Sequence, residues 1–340
     1  MKKAVILFNL GGPDKMENVE PFLFNLFNDP AILNLPSFLR YPLAKLISNR
    51  RAPIAKKIYE ELGGSSPILK LTKEQSIALE IKLNKTQTET EYKCFIVMRC
   101  WNPRAEDVIR EVKLFNPSEI ILMPLYPQYS AATSGSSIKE WKNVCKKNDY
   151  NIKTSTICCY PTDKNFINAH TNEILKKIKD INNFKLIFSA HGLPEKNIKK
   201  GDPYQWQVEQ SVKKIVESLN DENLDWILSY QSRVGPLKWI GPSTEDVIKE
   251  EAKKNKIIIV VPVAFVSEHS ETLVELDIEY KKLATENGSK QYIRVPTVGI
   301  EENFINSLKS SILSASKGEK FTSSLRCNKK FKKCPRLLKI

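Results

Sequence analysis

Three histidines are the residues of this sequence whose chemistry is easiest to interpret: His170, His191 and His269. An imidazole changes charge near neutral pH and binds metals, so each ring is a candidate proton acceptor or metal ligand. His170 lies within the periodic stretch 164–179, which predicts a surface helix, and is interpreted as an ordinary residue. His191 follows an apolar run and begins the turn His-Gly-Leu-Pro, which would hold its ring in place. A purely structural histidine is the alternative at this position.

An acidic segment after the apolar run 256–263 is the second feature with chemical potential. Projected at the 100° per residue of an α-helix, four glutamates of this segment fall within about 80° of one face. Like charges at these spacings destabilise a helix by about 0.2–0.5 kcal/mol per pair. Because apolar residues flank this row, we interpret it as the lining of a cavity where a cation or departing protons compensate the repulsion; a solvated acidic face is the alternative. The row consists of Glu268, Glu271, Glu275 and Glu279.

Two loops that follow predicted strands add candidate binding residues. Residues 231–242 contain two Gly-Pro steps, which would fix a loop that presents Arg233 and Trp239. A pinned indole suits stacking on a flat ligand, and core packing is the alternative. Residues 126–137 combine two tyrosines with several hydroxyls, for which phosphate binding is the rival interpretation. Their glycine spacing matches no nucleotide-binding loop.

The elements that must position these residues follow an alternating pattern. Short apolar runs alternate with periodic stretches, which is typical of βα units around parallel sheets. The alternation occurs twice, over residues 1–160 and 161–310, and a basic extension follows at 311–340. We therefore expect two parallel sheets with a cleft at the carboxyl ends of their strands. The predicted strands are 4–10, 94–98, 119–125, 153–159, 185–190, 225–230 and 256–263; the predicted helices are 17–28, 54–62, 72–84, 104–114, 164–179, 206–219, 243–254 and 270–285.

Composition limits the class of protein. The chain has 340 residues, 41% hydrophobic and 27% charged, which suits a globular protein of two domains. No apolar stretch approaches the roughly 20 residues that cross a bilayer, and no signal peptide is recognisable, so we expect a cytoplasmic protein. The net charge of +14 favours an anionic partner. No nucleic-acid-binding motif accompanies it, so we expect no nucleic acid and keep a solvated lysine surface and anionic lipid as alternatives.

The seven cysteines contain no CxxC pair, so neither a disulfide framework nor a structural zinc site is expected. Cys327 and Cys334 have six residues between them and supply half of a four-ligand metal site. Reduced thiols in a reducing compartment are the expected state.

Taken together, these segments resemble the ferrochelatase family, whose members catalyse the terminal step of haem synthesis. The motifs occur in the family's order over roughly residues 1–310, and SAHGLP followed by QSRVGP and HSETLVELDIEY is highly specific. The resemblance implies an α/β, chelatase-like fold: two Rossmann-like domains, each with a parallel four-stranded sheet flanked by helices, and a porphyrin cleft between them. The motifs are NLGGP near the start, NRRAP (49–53), GGSSPI (63–68), YPQYSAATSGSS (126–137), SAHGLP (189–194), QSRVGP…WIGP (231–242) and HSETLVELDIEY (269–280).

The resemblance also implies roles for individual residues. His191 and Glu271 would be the catalytic and metal-binding pair, facing each other across the macrocycle, and a pKa near neutrality would let His191 accept a pyrrole proton. Glu275, Glu268 and His269 would form a supporting acidic path. Cys100 and Asn102 depart from the tyrosine and histidine frequent in the family. The implied porphyrin-binding residues are Leu10, Arg51, Tyr59, Ser66, Arg99, Tyr126 and Trp239.

The resemblance thus predicts a lyase that inserts Fe²⁺ into protoporphyrin IX and releases protohaem and two protons. Coproporphyrin as substrate, a cobalt or nickel chelatase on the same fold, and a non-catalytic haem-binding protein are the alternatives. Iron is expected as a substrate without a tightly bound cofactor, because the terminal cysteines do not match the iron–sulfur spacing of some relatives. The amphipathic segment 31–47 predicts either a lip at the inner face of a membrane or a lid over the cleft. Monomer and homodimer both remain open.

Overall fold

The structure is a computed structural model that describes residues 1–86, 89–233, 235–317 and 321–337. The chain divides into two compact units, Met1–Cys158 with Leu308–Ser323 and Cys159–Ser307 with Ser324–Ile340. Whether residues 1–160 and 161–310 fold as separate domains, followed by an extension at 311–340, stays a prediction.

Strands and helices alternate along both halves of the chain. The first half comprises β1 (Lys2–Asn9), a 3-10 turn (Met16–Asn18), α1 (Val19–Phe27), α2 (Ser37–Glu60), α3 (Ile68–Thr86), β2 (Glu91–Met98), α4 (Ala105–Phe115), β3 (Glu119–Pro124), α5 (Ser134–Lys147) and β4 (Thr154–Cys159). The second half comprises α6 (Lys164–Ile178), β5 (Phe184–His191), α7 (Glu195–Lys199), α8 (Tyr204–Leu219), β6 (Trp226–Gln231), α9 (Thr244–Ala252), β7 (Ile257–Pro262), a π-helix (Glu271–Glu279), α10 (Tyr280–Glu286), β8 (Gln291–Arg294), α11 (Glu302–Ala315) and β9 (Phe321–Ser323).

Both sheets have the predicted parallel core of four strands. The first has the order β2-β1-β3-β4, with the short β9 added at the edge beside β4. The second has the order β6-β5-β7-β8, and each neighbouring pair is parallel. The central strand β1 is buried from its second residue to its last, because helices cover both faces of a parallel sheet. The predicted fold class is confirmed.

Local sequence signals explain where several helices begin and what they bury. Asp163 caps α6, since its Oδ1 accepts hydrogen bonds from two main-chain N–H groups at 3.0 and 3.1 Å. Ser243 caps α9 through the N–H of Asp246 at 3.3 Å. On α4, apolar residues at helical spacing pack against the first sheet. They are Ala105, Val108, Ile109, Val112 and Phe115.

Some elements differ from the prediction. α2 runs through Pro42 and Pro53 and joins the amphipathic segment 31–47 to the predicted helix 54–62, although proline is normally tolerated in a first turn alone. α5 begins in a hydroxyl-rich stretch that resembles a loop, and β8 is a four-residue strand without an apolar run. None of the helices α5, α7 and α11 or the strands β8 and β9 was predicted.

His170 is also placed differently from the prediction. It is fully buried on α6, where its ring meets the Phe166 ring edge-on at 4.8 Å. Neither ring nitrogen has a hydrogen-bond partner among the described residues, and burial lowers the pKa of His170 to about 3. The helix is therefore buried on the side that carries this residue.

Within the described ranges, no helix combines the length and apolar character needed to cross a membrane.

Candidate active site

The candidate catalytic residues lie where strands of the second sheet end. His191 is the last residue of β5 and is in register with Gln231, the last residue of β6. Glu271 is the first residue of the π-helix that follows β7. Because the carboxyl ends of parallel strands meet at one edge of the sheet, residues 40 to 80 positions apart in sequence converge there.

The segment expected to be an α-helix over 270–285 is a π-helix followed by α10. Its wider hydrogen bonding is visible at the junction, where the N–H of Tyr280 bonds to the carbonyl of Glu275, five residues earlier. The 100° spacing that grouped four glutamates on one face therefore does not apply. The acids of the predicted row contact different partners instead.

His191 and Glu271 form a direct pair. His191 Nε2 lies 3.3 Å from Glu271 Oε1, and His269 Nε2 lies 3.4 Å from the other carboxylate oxygen. His191 Nδ1 is 2.7 Å from the Gly192 carbonyl, so it carries the hydrogen and donates to that oxygen. About a third of the side-chain surface of each member is exposed, 38% for His191 and 31% for Glu271. Solvent and small ions can therefore reach the pair.

This distance corrects one implied arrangement. A flat ring between two groups needs about 3.5 Å of van der Waals separation on each side, or about 7 Å in total. The 3.3 Å between His191 and Glu271 leaves no room for a macrocycle. In this conformation both groups would lie on the same side of a porphyrin, where they can share one ion.

The pair carries opposite charges at neutral pH. Burial lowers the pKa of His191, but the Glu271 carboxylate and the hydrogen bonds outweigh it and raise this pKa to about 9. For Glu271, burial raises the pKa, while the charges and hydrogen bonds of the two histidines hold it well below its ordinary value. The pKa near neutrality expected for His191 is therefore not found while it pairs with Glu271, because this carboxylate stabilises the imidazolium.

Glu275 is held by four hydrogen bonds. Its oxygens accept bonds from Gln231 Nε2 (3.0 Å), Ser232 N–H (2.9 Å), Ser232 Oγ (2.5 Å) and Tyr280 Oη (2.9 Å). Ser232 has φ +61°, a left-handed conformation that costs a non-glycine residue free energy and is frequent at functional sites. Gln231 Nε2 also donates to the Glu271 carbonyl at 3.0 Å. Sequence reasoning noted the QSRVGP loop but missed that its Gln and Ser anchor the glutamates.

Glu268 belongs to another set of contacts. Its carboxylate accepts hydrogen bonds from Arg294 Nη1 at 2.7 Å and from the N–H of Thr297 at 2.9 Å. Arg294 also binds both oxygens of Asp277, at 2.6 and 2.7 Å. Burial raises the pKa of Glu268, but the charge of Arg294 prevails and lowers it. A place for Glu268 in an acidic path stays a prediction.

Trp239 packs beside the histidine turn. Its main chain bridges to Pro194, and a Cβ added to Gly192 would lie 3.2 Å from the indole and 2.9 Å from the Gln231 carbonyl. Glycine at 192 therefore lets the indole approach the turn that carries His191. Val234, in the same loop, lies outside the described residues.

The remaining predicted porphyrin-binding residues belong to the first unit. Leu10 and Tyr59 share an apolar cluster, and the Arg51 guanidinium lies 5.7 Å from the Phe27 ring centre. Ser66 packs so closely on Gly12 that an added Cβ there would lie 2.5 Å from it. Their contacts with a porphyrin stay predictions.

The polar groups of Arg99 and Tyr126 are mostly buried within the first unit. The Arg99 guanidinium binds Asp29 at 3.0 Å, Glu140 at 3.1 Å and Ser136 Oγ at 2.8 Å, and only 12% of its side chain is exposed. Burial raises the pKa of Tyr126. Arg99 thus ties the end of α1 to α5 through Asp29 and Ser136, a role that its motif did not indicate.

Imidazole and carboxylate are ligands that suit first-row divalent ions such as Fe²⁺. In the part of the chain that the structure describes, no three or more His, Cys, Asp or Glu side chains are grouped so that they could hold a metal. Within the described residues, the His191–Glu271 pair offers two metal ligands, the imidazole Nε2 and the carboxylate.

Comparisons with known proteins agree on one family. The Ferrochelatase family model matches residues 2–316. The ferrochelatase of Pelagibacter ubique (strain HTCC1062) is 76% identical over 340 residues, covering 98% of each chain. The ferrochelatase of Rickettsia bellii (strain OSU 85-389) is 49% identical, covering 97% of this chain and 94% of the relative.

Solved structures support the fold. SirB from Bacillus subtilis with Fe³⁺ superposes with a TM-score of 0.55 at 13% identity, covering 94% of this chain and 98% of that chain. The sirohydrochlorin chelatase SirB from Bacillus subtilis subspecies spizizenii in complex with cobalt gives 0.53 at 11% identity, covering 93% and 96%. At these identities the likeness concerns the fold alone.

Proposed function

The chain belongs to the ferrochelatase family and is a metal chelatase, and we propose that it inserts Fe²⁺ into protoporphyrin IX to give protohaem and two protons. The observation that carries the proposal is the His191–Glu271 pair, 3.3 Å apart at the carboxyl edge of the second sheet. The alternatives of coproporphyrin, of cobalt or nickel, and of a non-catalytic haem-binding protein are not favoured by any observation on this chain.

The pair can bind a divalent ion if His191 releases its Nε2 proton. His191 is an imidazolium while it pairs with the Glu271 carboxylate, because the pKa of His191 is raised to about 9. A cation that binds Glu271 removes this stabilisation, so Nε2 loses its proton and becomes a ligand. Iron binding would thus release one proton from the pair.

Transfer of the ion to the macrocycle reverses this change. Two pyrrole N–H protons leave as the ion enters, and the vacated pair again favours an imidazolium. His191 therefore accepts one pyrrole proton, acting as a general base. The second proton passes to solvent, which reaches both side chains of the pair. Glu275 supplies a fixed negative charge that also raises the pKa of His191, and its four hydrogen bonds keep it in place.

We further propose that iron is a substrate and that no cofactor is tightly bound. The two-ligand pair supports this, because an ion held by few protein ligands can leave for the porphyrin. Acid-labile sulfide in the purified protein, in amounts equal to the protein, would contradict this proposal.

The decisive test is metal insertion by His191→Ala and Glu271→Gln. We expect turnover with Fe²⁺, and with Zn²⁺ followed by porphyrin fluorescence, to fall by at least about 100-fold in each variant. Glu245→Gln is the matched control, because Glu245 is an exposed glutamate on α9 that pairs with Lys249. Near-wild-type turnover in both site variants would overturn the proposal. The same assay with Co²⁺, Ni²⁺ and coproporphyrin measures the substrate preference.

We also infer that the protein is cytoplasmic and contacts the inner face of a membrane through the N-terminal half of α2. Phe38 is 73% exposed, and Leu39, Tyr41 and Leu46 are exposed beside it. Lys45 on this segment pairs with Glu20 at 2.6 Å, so attraction to anionic head groups would come from the net charge of +14. Such contact would let an apolar product pass directly into lipid.

A further inference from the structure

The end of β5 is hydrogen-bonded to the first residue of α8 as well as paired with β6. The main-chain carbonyl of His191 accepts a hydrogen bond from Tyr204 Oη at 3.0 Å. The ring of the same histidine is oriented by its own bond to the Gly192 carbonyl, which leaves Nε2 directed at Glu271. The Tyr204 hydroxyl therefore acts on the backbone that carries the reactive ring, and not on the ring itself.

Tyr204 is well placed to hold this position. It is the first residue of α8 and is buried. Its N–H donates to Asp202 Oδ1 at 3.1 Å, and Asp202 is itself buried. A buried ring at the start of a helix has little freedom, so the position of its hydroxyl follows the position of α8.

The C-terminal segment 328–334 packs against the turn before α8. Lys333 N–H donates to the Gly201 carbonyl at 3.1 Å, and a Cβ added to Gly201 would lie 2.7 Å from Lys332 N. Phe331 is buried and stacks on Trp206 of α8, with ring centres 5.1 Å apart. The segment thus contacts α8 on the turn just before Tyr204 and again two residues after it.

We propose that Tyr204 is a positioning residue for metal insertion and that residues 328–334 brace it; this proposal rests on the function proposed above. Tyr204 sets where the main chain of His191 lies, and thereby the separation between Nε2 and Glu271. Small displacements of a reacting group lower the rate of the chemical step more than they lower substrate affinity. Loss of the hydroxyl should therefore appear in kcat and not in KM.

The test uses the full-length variant Tyr204→Phe, which removes one oxygen and keeps the ring. We expect kcat for zinc insertion to fall about tenfold with KM for the porphyrin unchanged. In histidine-¹⁵N-labelled protein without substrate, the ring resonances of His191 should shift. The matched control is Tyr160→Phe, since Tyr160 is a fully buried tyrosine of the same unit whose hydroxyl has no hydrogen-bond partner among the described residues. It should change neither quantity.

The brace is tested by Phe331→Ala, which removes the stack on Trp206. We expect a smaller fall in kcat and a smaller shift of the same His191 resonances. Unchanged kcat and resonances in this variant would overturn the brace.

Tyr204→Phe with wild-type kcat and unchanged His191 resonances would overturn the positioning role, and so would a lowered melting temperature without a resonance shift. Failure of the wild-type protein to insert any metal would instead reject the proposed function. The spectra of the free protein would still report on the contact between Tyr204 and His191, so the two failures are distinguishable.

Discussion

His170 and His191 have identical side chains, but at neutral pH the first is uncharged and the second is protonated. His170 is fully buried beside the Phe166 ring, and burial lowers its pKa to about 3. His191 has a carboxylate 3.3 Å away, which raises its pKa to about 9 against the effect of burial. The nearest charged partner, and not exposure alone, therefore decides which histidine can carry a proton at neutral pH.

The neutral state of His170 predicts a contribution to acid sensitivity. The unfolded chain binds a proton at this residue near its ordinary value of 6.5, whereas the folded protein does so only near 3. Stability from this group is therefore complete above pH 6.5 and is lost as pH falls, by about 1.4 kcal/mol per pH unit. Between pH 7 and 5, His170→Leu should lose about 2 kcal/mol less unfolding free energy than the wild type, measured in urea. Equal losses in both proteins would contradict the prediction.

At the scale of single elements, the π-helix depends on contacts from outside itself. A π-helix is rare and usually short, because its backbone packing is poorer than that of an α-helix. Here the four hydrogen bonds to Glu275 come from the end of β6 and from Tyr280. These bonds hold the wide turn in place, and the same turn directs Glu271 toward His191.

The helix α2 contains a proline in its interior that no contact among the described residues compensates. Pro53 lies in the helix interior and is exposed. It cannot donate to the main-chain carbonyl four residues earlier. Pro53→Ala should therefore raise the free energy of unfolding by about 1–3 kcal/mol, measured by denaturant unfolding. Pro36→Ala, at the N-cap before the helix, is the control and should change it by less than about 0.5 kcal/mol. Destabilisation by Pro53→Ala would show that the proline is needed in α2.

At the scale of the whole molecule, charge and exposed apolar surface suit an anionic membrane. The net charge is +14. Residues 317–340 contain nine Lys and Arg but only one acidic residue, Glu319. Exposed aromatic and leucine side chains at the start of α2 add an apolar contribution. Attraction to anionic lipid and insertion of apolar groups stabilise peripheral binding together, where one of them alone is weak.

Membrane binding predicts a dependence on both lipid charge and α2. The protein should sediment with anionic liposomes at low salt and much less with zwitterionic ones. The double variant Phe38→Ser with Leu39→Ser should bind at least about tenfold more weakly. Ile77→Ser is the control, because Ile77 is an exposed isoleucine on α3. If the wild type stays in the supernatant with anionic liposomes, the proposed contact is wrong.

The parallel strands were predictable because their apolar runs are local patterns that a buried strand requires. β3 and β7 lie within the predicted runs and β1 begins two residues before its own, and the caps Asp163 and Ser243 were predictable for the same local reason. β8 was missed because four half-exposed residues carry no such pattern. That the amphipathic segment 31–47 and the predicted helix 54–62 belong to the single helix α2 was not predictable, because Pro53 is a local signal that the surrounding helix overrides.

The sequence by itself determined which residues are candidates, since His191 and Glu271 lie in motifs that can be read without coordinates. Only the tertiary structure decided that they lie 3.3 Å apart, that the acidic segment is a π-helix, and that His170 is buried. These properties depend on contacts between residues 40 or more positions apart and on the exclusion of water. No pattern of neighbouring residues encodes a contact distance or the pKa that it produces.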